Sequence, residues 1–212
     1  MPSYKSIACV TPNENVDAFY KHFDKSMCIL PSIGDGSCMY HSIAQAIVPG
    51  YYHKSRSDQT KIGRYLRQQF KSLINEQMYA NTVEVIQKEM KKNGISNQLQ
   101  VTPFSKWKHD MNNHRTWADL LQISIFGLRM RLNLVFYNSR GKQFYYGVSN
   151  FKKAEQENLP TVLIEWERLM HFNLICKQNT DEHNNTTIQR QFFYPKDKVL
   201  LNRIKTLYNH AR

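Results

Sequence analysis

The hydrophobic period of the chain changes near residue 130, and that change limits the folds open to it. Before it, apolar residues recur at helical spacing: Ile62, Leu66, Phe70, Leu73 and Ile74 line one face of a long segment. After it come short runs rich in β-branched and aromatic residues, at 132–137, 143–148, 161–166 and 171–176. Helices first and strands last argue for an α+β fold rather than a wound parallel sheet. The expected architecture is a small mixed or antiparallel sheet packed between helical regions.

Finer signals place the elements. A short helix is expected over 14–26 and another over 38–48, ended by Pro49-Gly50. Ser57 is positioned to cap a long helix through about 79, and a further helix over 82–93 would stop at Gly94. Residues 95–115 read as polar and irregular, and 117–128 as a helix with an apolar face. The stretch KQNTDEHNNTTIQR, 177–190, reads as a linker before an amphipathic helix at 199–208 that packs on the domain or serves as a docking tail. This divides the chain into an N-terminal extension at 1–25, a core domain at 26–176, and a tail at 177–212.

A chain of 212 residues with 41% hydrophobic and 22% charged composition suits one folded domain. It has no run of about 18 apolar residues, so no membrane partner is expected. Its first residues carry no apolar core of the signal-peptide kind. The four cysteines show no zinc-ligand spacing, so neither metal nor cofactor is expected, and reduced thiols in an intracellular, cytoplasmic setting are the simplest reading. The net charge of +12 is spread along the chain without a long basic block. That fits solubility first, with nucleic acid as a secondary partner class.

One segment carries chemistry. In GDGSCMYHS, Gly34 to Ser42, a glycine-rich turn leads into an apolar helix that begins at Cys38. A sulfur in the first turn faces the positive end of the helix dipole and unpaired N–H groups, which favour the nucleophilic thiolate. The turn at Gly34, Asp35, Gly36 and Ser37 can direct backbone N–H groups inward as an oxyanion hole. A buried structural cysteine after a turn has the same local pattern.

A nucleophile needs a base, and the base needs an orienting group. His41 lies on the same helix as Cys38, where a packed or solvated position is the ordinary outcome. His22, His53, His109, His114, His183 and His210 sit in polar stretches and read as surface residues. His171 opens the apolar run HFNLIC. Alternation puts His171, Asn173 and Ile175 on one strand face and Phe172, Leu174 and Cys176 on the other. The Asn173 amide oxygen is then placed to accept from the imidazole and set its tautomer. A half-buried strand histidine without a chemical role shows the same pattern.

The segment Asp35-Gly36-Ser37-Cys38-Met39-Tyr40 resembles the D-G-x-C-[LM]-[FY] box of the ovarian tumour (OTU) cysteine proteases. Trp117-Ala118-Asp119 with Leu120, Leu121, Gln122 and Ile123 resembles that family's W-G-x-x-E-L-x-A helix, with Ala118 and Asp119 departing from it. Leu163-Ile164-Glu165 followed by His171-Phe172-Asn173 resembles its closing hairpin and H-[YFW]-[ND] motif. The resemblance spans roughly 26–176 and implies a papain-like OTU fold over that core, the expected catalytic domain. It implies a deubiquitinase that cuts isopeptide bonds after the Gly-Gly tail of ubiquitin, without a metal. Ubiquitin or polyubiquitin is the implied partner, with ubiquitin-like modifiers as a variant. On this resemblance Cys38 is the nucleophile, His171 the base and then acid, Asn173 the residue that orients His171, and Asp35 the support of the oxyanion loop or, as in some members, of the histidine. Gly34, Gly36, Ser37 and Phe172 become candidate substrate contacts beside the cleft, and Trp117 a packing residue beneath it. The resemblance also suggests a viral or effector origin. Processing of a viral polyprotein, and a basic ubiquitin- or nucleic-acid-binding module of the same fold, are the competing functions.

Overall fold

A computed structural model of the chain describes residues 10, 19–20, 23–92, 101–113, 118–138, 143–145, 151–167, 170–180 and 186–210. Its elements run in the order β1 (Met27–Leu30), α1 (Cys38–Ile47), α2 (Arg56–Leu73), α3 (Glu76–Lys92), α4 (Phe104–Asp110), α5 (Leu120–Met130), β2 (Asn133–Asn138), β3 (Gln143–Tyr145), α6 (Phe151–Glu157), β4 (Thr161–Glu167), β5 (His171–Thr180), β6 (Thr186–Arg190) and α7 (Lys198–His210), with a short 3-10 turn at Tyr51–His53. The strands join in one sheet of order β1-β5-β4-β2-β3, with β6 added to β5. All its pairs are antiparallel except β2 with β4, which run parallel. A parallel pair needs a crossover, and α6 lies within it. The α+β class with a mixed sheet is the observed one.

Strand alternation divides the core into two layers. Cys28 and Leu30 of β1, Leu134 and Phe136 of β2, Val162 and Ile164 of β4, and Phe172, Leu174 and Cys176 of β5 join a cluster with residues of α1 to α5. The residues between them, Met27, Ile29, Val135, Tyr137, Leu163 and Ile175, face Phe19, Phe23, Phe193, Leu201 and Ile204. The sheet is therefore covered on both faces, and burying its apolar side chains supplies the main drive to fold.

Several elements differ from the sequence expectation. The long helix is capped by Ser55, whose hydroxyl accepts from Asp58 N at 3.1 Å, rather than by Ser57. It stops at Leu73 because Ile74 turns extended and Asn75 Oδ1 accepts from Met78 N at 2.9 Å, starting a second helix. The stretch expected to be irregular contains α4, anchored by buried Trp107, which packs 4.9 Å from the Tyr79 ring. Within the stretch expected as a linker, residues 177–180 extend β5 and residues 186–190 form β6, paired with it through the main chain. The tail helix packs on the sheet through Leu201 and Ile204. The helix expected over 14–26 falls largely outside the described residues, as do Gly94 and Trp117.

Val10 pairs with Ile29 of β1 through two backbone hydrogen bonds of 2.9 and 3.1 Å. Cys28, beside that bridge, is disulfide-bonded, its partner lying outside the described residues. Among the described residues Cys38 and Cys176 are thiols outside any disulfide. The expectation of four reduced thiols is corrected to that extent.

Candidate active site

Cys38 is the first residue of α1, as the turn before it demands. Gly36 has φ +83°, a conformation that L side chains resist, so the motif's second glycine is required by the backbone. Gly34 is under less constraint: a Cβ there would meet His171 Cε1 at 3.6 Å, an ordinary contact. That distance shows that His171, from the far end of the sequence, lies against the loop leading into Cys38.

The helix dipole does not leave Cys38 acidic. The thiol is 4% exposed, and burial pushes its pKa above the ordinary value, with the nearby Asp35 charge adding slightly. Hydrogen bonds from the backbone at Phe172, Met39 and Cys38 itself act in the opposite direction and are outweighed. The thiolate fraction therefore grows only as pH rises toward and beyond the ordinary thiol range. Alkylation of Cys38 by iodoacetamide should accelerate through the alkaline range. A plateau already reached below pH ~7 would show a preformed thiolate instead.

Asp35 supports the loop directly. Its Oδ1 accepts from Ser37 N at 3.0 Å and lies 3.0 Å from His41 Nε2, while Arg64 Nε approaches Oδ2 at 3.9 Å. His41 is fully buried, and its Nδ1 lies 2.6 Å from the Tyr51 hydroxyl. Burial holds the His41 pKa below the usual histidine range despite the Asp35 carboxylate. His41 is thus a brace between Asp35 and Tyr51.

The loop is also tied from the helical layer. Arg67 of α2 donates to Gly36 O and, through its other nitrogens, to Met111 O and Asn113 O, at 2.8 to 2.9 Å. Phe172 and Ser37 do not offer side chains to a substrate, because both are about 1% exposed. The Phe172 ring lies in the core between Phe136 and Trp166. Its contribution here is main-chain: Ser42 Oγ donates to its carbonyl at 2.9 Å, fixing β5 against α1.

Alternation places His171 and Asn173 on one strand face, as expected, but the side chains are not bonded to each other. Asn173 Oδ1 accepts from Ser32 N at 3.1 Å, and its Nδ2 donates to Glu165 Oε2 at 2.9 Å and Glu167 Oε2 at 3.3 Å. The imidazole Nε2 instead lies 3.3 Å from Ser32 Oγ. Ser32, Glu167, Tyr51 and Arg67 were not singled out as site residues by the sequence, and Glu165 entered only as part of the hairpin motif. Only the cross-strand register, which sets Glu165 opposite Asn173 and Glu167 opposite His171, offered a signal.

The site combines a cysteine on a helix N-terminus, an anchored glycine turn and a strand histidine against that turn, the elements of a thiol protease. The profile of the OTU-like cysteine proteases matches residues 33–172, most of the chain, and the chain belongs to that family. Among solved structures it is similar to an OTU domain in complex with ubiquitin, at 14% identity and TM-score 0.49, covering 84% of this chain and 83% of that one. It is also similar to the OTU domain of OTUD1, at 14% identity and TM-score 0.47, covering 76% and 93%. The Hazara virus OTU bound to ubiquitin aligns at 15% identity and TM-score 0.41, covering 73% and 83%. No curated protein matches the chain.

Proposed function

We propose that this chain is a deubiquitinase that hydrolyses isopeptide bonds after the Gly-Gly tail of ubiquitin. The observation that carries the reading is Cys38 at the start of α1 with His171 against the loop that precedes it, in a chain of the OTU-like cysteine protease family. In this reading His171 takes the Cys38 proton as the sulfur attacks the scissile carbonyl carbon. Because burial keeps the resting thiol protonated, transfer of that proton belongs to the attack step. The N–H groups at the start of α1 stabilise the oxyanion. Collapse of the tetrahedral intermediate breaks the C–N bond, and the lysine amine leaves with the proton from His171. Water then attacks the thioester, giving up a proton to His171 and releasing the ubiquitin carboxylate and the thiol. Asp35 holds the loop through Ser37 N and His41.

Ubiquitin with a C-terminal electrophile tests this. Wild type should gain one ubiquitin mass, and Cys38→Ala should gain none while keeping its thermal unfolding transition. His171→Ala should label at least 100-fold more slowly. A folded wild-type protein that forms no adduct overturns the reading and directs attention to polyprotein cleavage.

A further inference from the structure

We propose that Ser32, rather than Asn173, is the residue that orients His171 and fixes its tautomer, and that Asn173 acts one step removed by holding Ser32. This deepens the protease reading and rests on His171 being its base. Ser32 lies in the segment between β1 and the glycine turn, and three bonds define its role. Its Oγ is 2.5 Å from Phe172 O, its Oγ is 3.3 Å from His171 Nε2, and its N–H donates to Asn173 Oδ1 at 3.1 Å.

Counting protons gives the tautomer. A hydroxyl carries one hydrogen and accepts through its lone pairs. Two oxygens 2.5 Å apart require a hydrogen between them, and the Phe172 carbonyl has none to give. The Ser32 hydrogen is therefore spent on Phe172 O. Toward His171 the serine oxygen can only accept, so the neutral ring carries its proton on Nε2. Nδ1 is left with its lone pair free, on the ring edge that faces Gly34 and the loop into Cys38. That is the form a base for the Cys38 thiol needs.

Asn173 does not supply that bond in this arrangement. Its Nδ2 is directed to Glu165 and Glu167 and its Oδ1 to Ser32 N. The two carboxylates decide which end of the amide is which, since a carboxylate oxygen accepts and an N–H donates. Glu165 is 4% and Asn173 5% exposed, so this support is buried and held by the β4–β5 register. The order of support runs from Glu165 and Glu167 through Asn173 to Ser32, and from Ser32 to the imidazole.

The test uses the full chain as wild type, Ser32→Ala, Ser32→Thr, Asn173→Ala and the Ser32→Ala/Asn173→Ala pair. Two readouts are taken: hydrolysis of a fluorogenic ubiquitin ester over pH, and the ¹⁵N shifts of the His171 ring in histidine-labelled protein. Ser32→Ala should lower kcat about 10- to 100-fold with KM nearly unchanged, and move the acidic limb of the pH profile. Ser32→Thr, which keeps a hydroxyl, should recover most of the loss. The pair should be no worse than Ser32→Ala alone, since Asn173 acts through Ser32. The wild-type ring should show Nε2–H, and Ser32→Ala a mixture of tautomers. A wild-type ring protonated on Nδ1, or a Ser32→Ala protein with unchanged tautomer and kcat, overturns the proposal. The ring shifts need no turnover and no variant. An inactive wild type with an Nε2–H ring would therefore sink the deubiquitinase reading while leaving the positioning intact.

Discussion

Gly63→Ala is expected to destabilise the fold by about 2–3 kcal/mol, the opposite of what the change does inside an ordinary helix, where it stabilises by roughly 1 kcal/mol. Gly63 is buried in α2 where that helix crosses α1. A Cβ there would lie 2.7 Å or less from Cε1, Nδ1 and Nε2 of His41. The ring has no room to give way, because it is fully buried between Asp35 and the Tyr51 hydroxyl. Relief requires spreading the two helices or expelling the ring, and the second leaves polar groups of Asp35 and Tyr51 without a partner. Urea unfolding measures the loss. His41→Ala in the same chain removes the clash, so the two changes should be strongly non-additive. A Gly63→Ala protein as stable as wild type would show that α1 and α2 can spread at this crossing without cost. Activity should fall with stability, since displacing His41 unties the loop at Asp35 from α1.

That contact marks the boundary of what the sequence can reveal. Cys38 at a helix start was readable because a glycine turn, an N-terminus and an apolar helix are all local features. The pairing of His171 with Asn173 on one face was readable because alternation is a property of the strand itself. His41 as a brace was not, since its partners Tyr51 and Gly63 are fixed by the packing of three elements. Strand position and the family resemblance both direct the Asn173 amide oxygen at His171, whereas in the fold that oxygen accepts from Ser32 N and the Nδ2 donates to Glu165 and Glu167 across the strand register. The break at Ile74 was hidden because Ile74 continues the apolar stripe, although Asn75 is a strong cap residue. The end of β5 and β6, KQNT and TTIQR, carried little hydrophobic signal, and what joins them is a main-chain ladder that side-chain patterning does not encode.

Arg67→Met should have the larger effect, on the order of 3–4 kcal/mol, because it leaves three main-chain acceptors short of a partner while keeping most of the side-chain volume. Arg67 is 4% exposed, and its guanidinium stands 5.8 Å from the Tyr40 ring centroid. The planar fork spans carbonyls of two separate loops, Gly36 before α1 and Met111 and Asn113 after α4. Lysine has a single compact head and cannot reach all three, so Arg67→Lys should recover only a minor part of the loss. Denaturant midpoints of the three proteins give the stability effect. The functional effect is separable by assaying at temperatures where each is folded. Gly36 holds its left-handed turn beside the nucleophile, so freeing its carbonyl should lower kcat beyond what the folded fraction explains. If Arg67→Met keeps the wild-type midpoint, Arg67 is not the clamp between the loops, and the glycine turn must be held by Asp35 and His41 alone. If the midpoint falls but kcat per folded molecule does not, the clamp stabilises the domain without shaping the oxyanion loop.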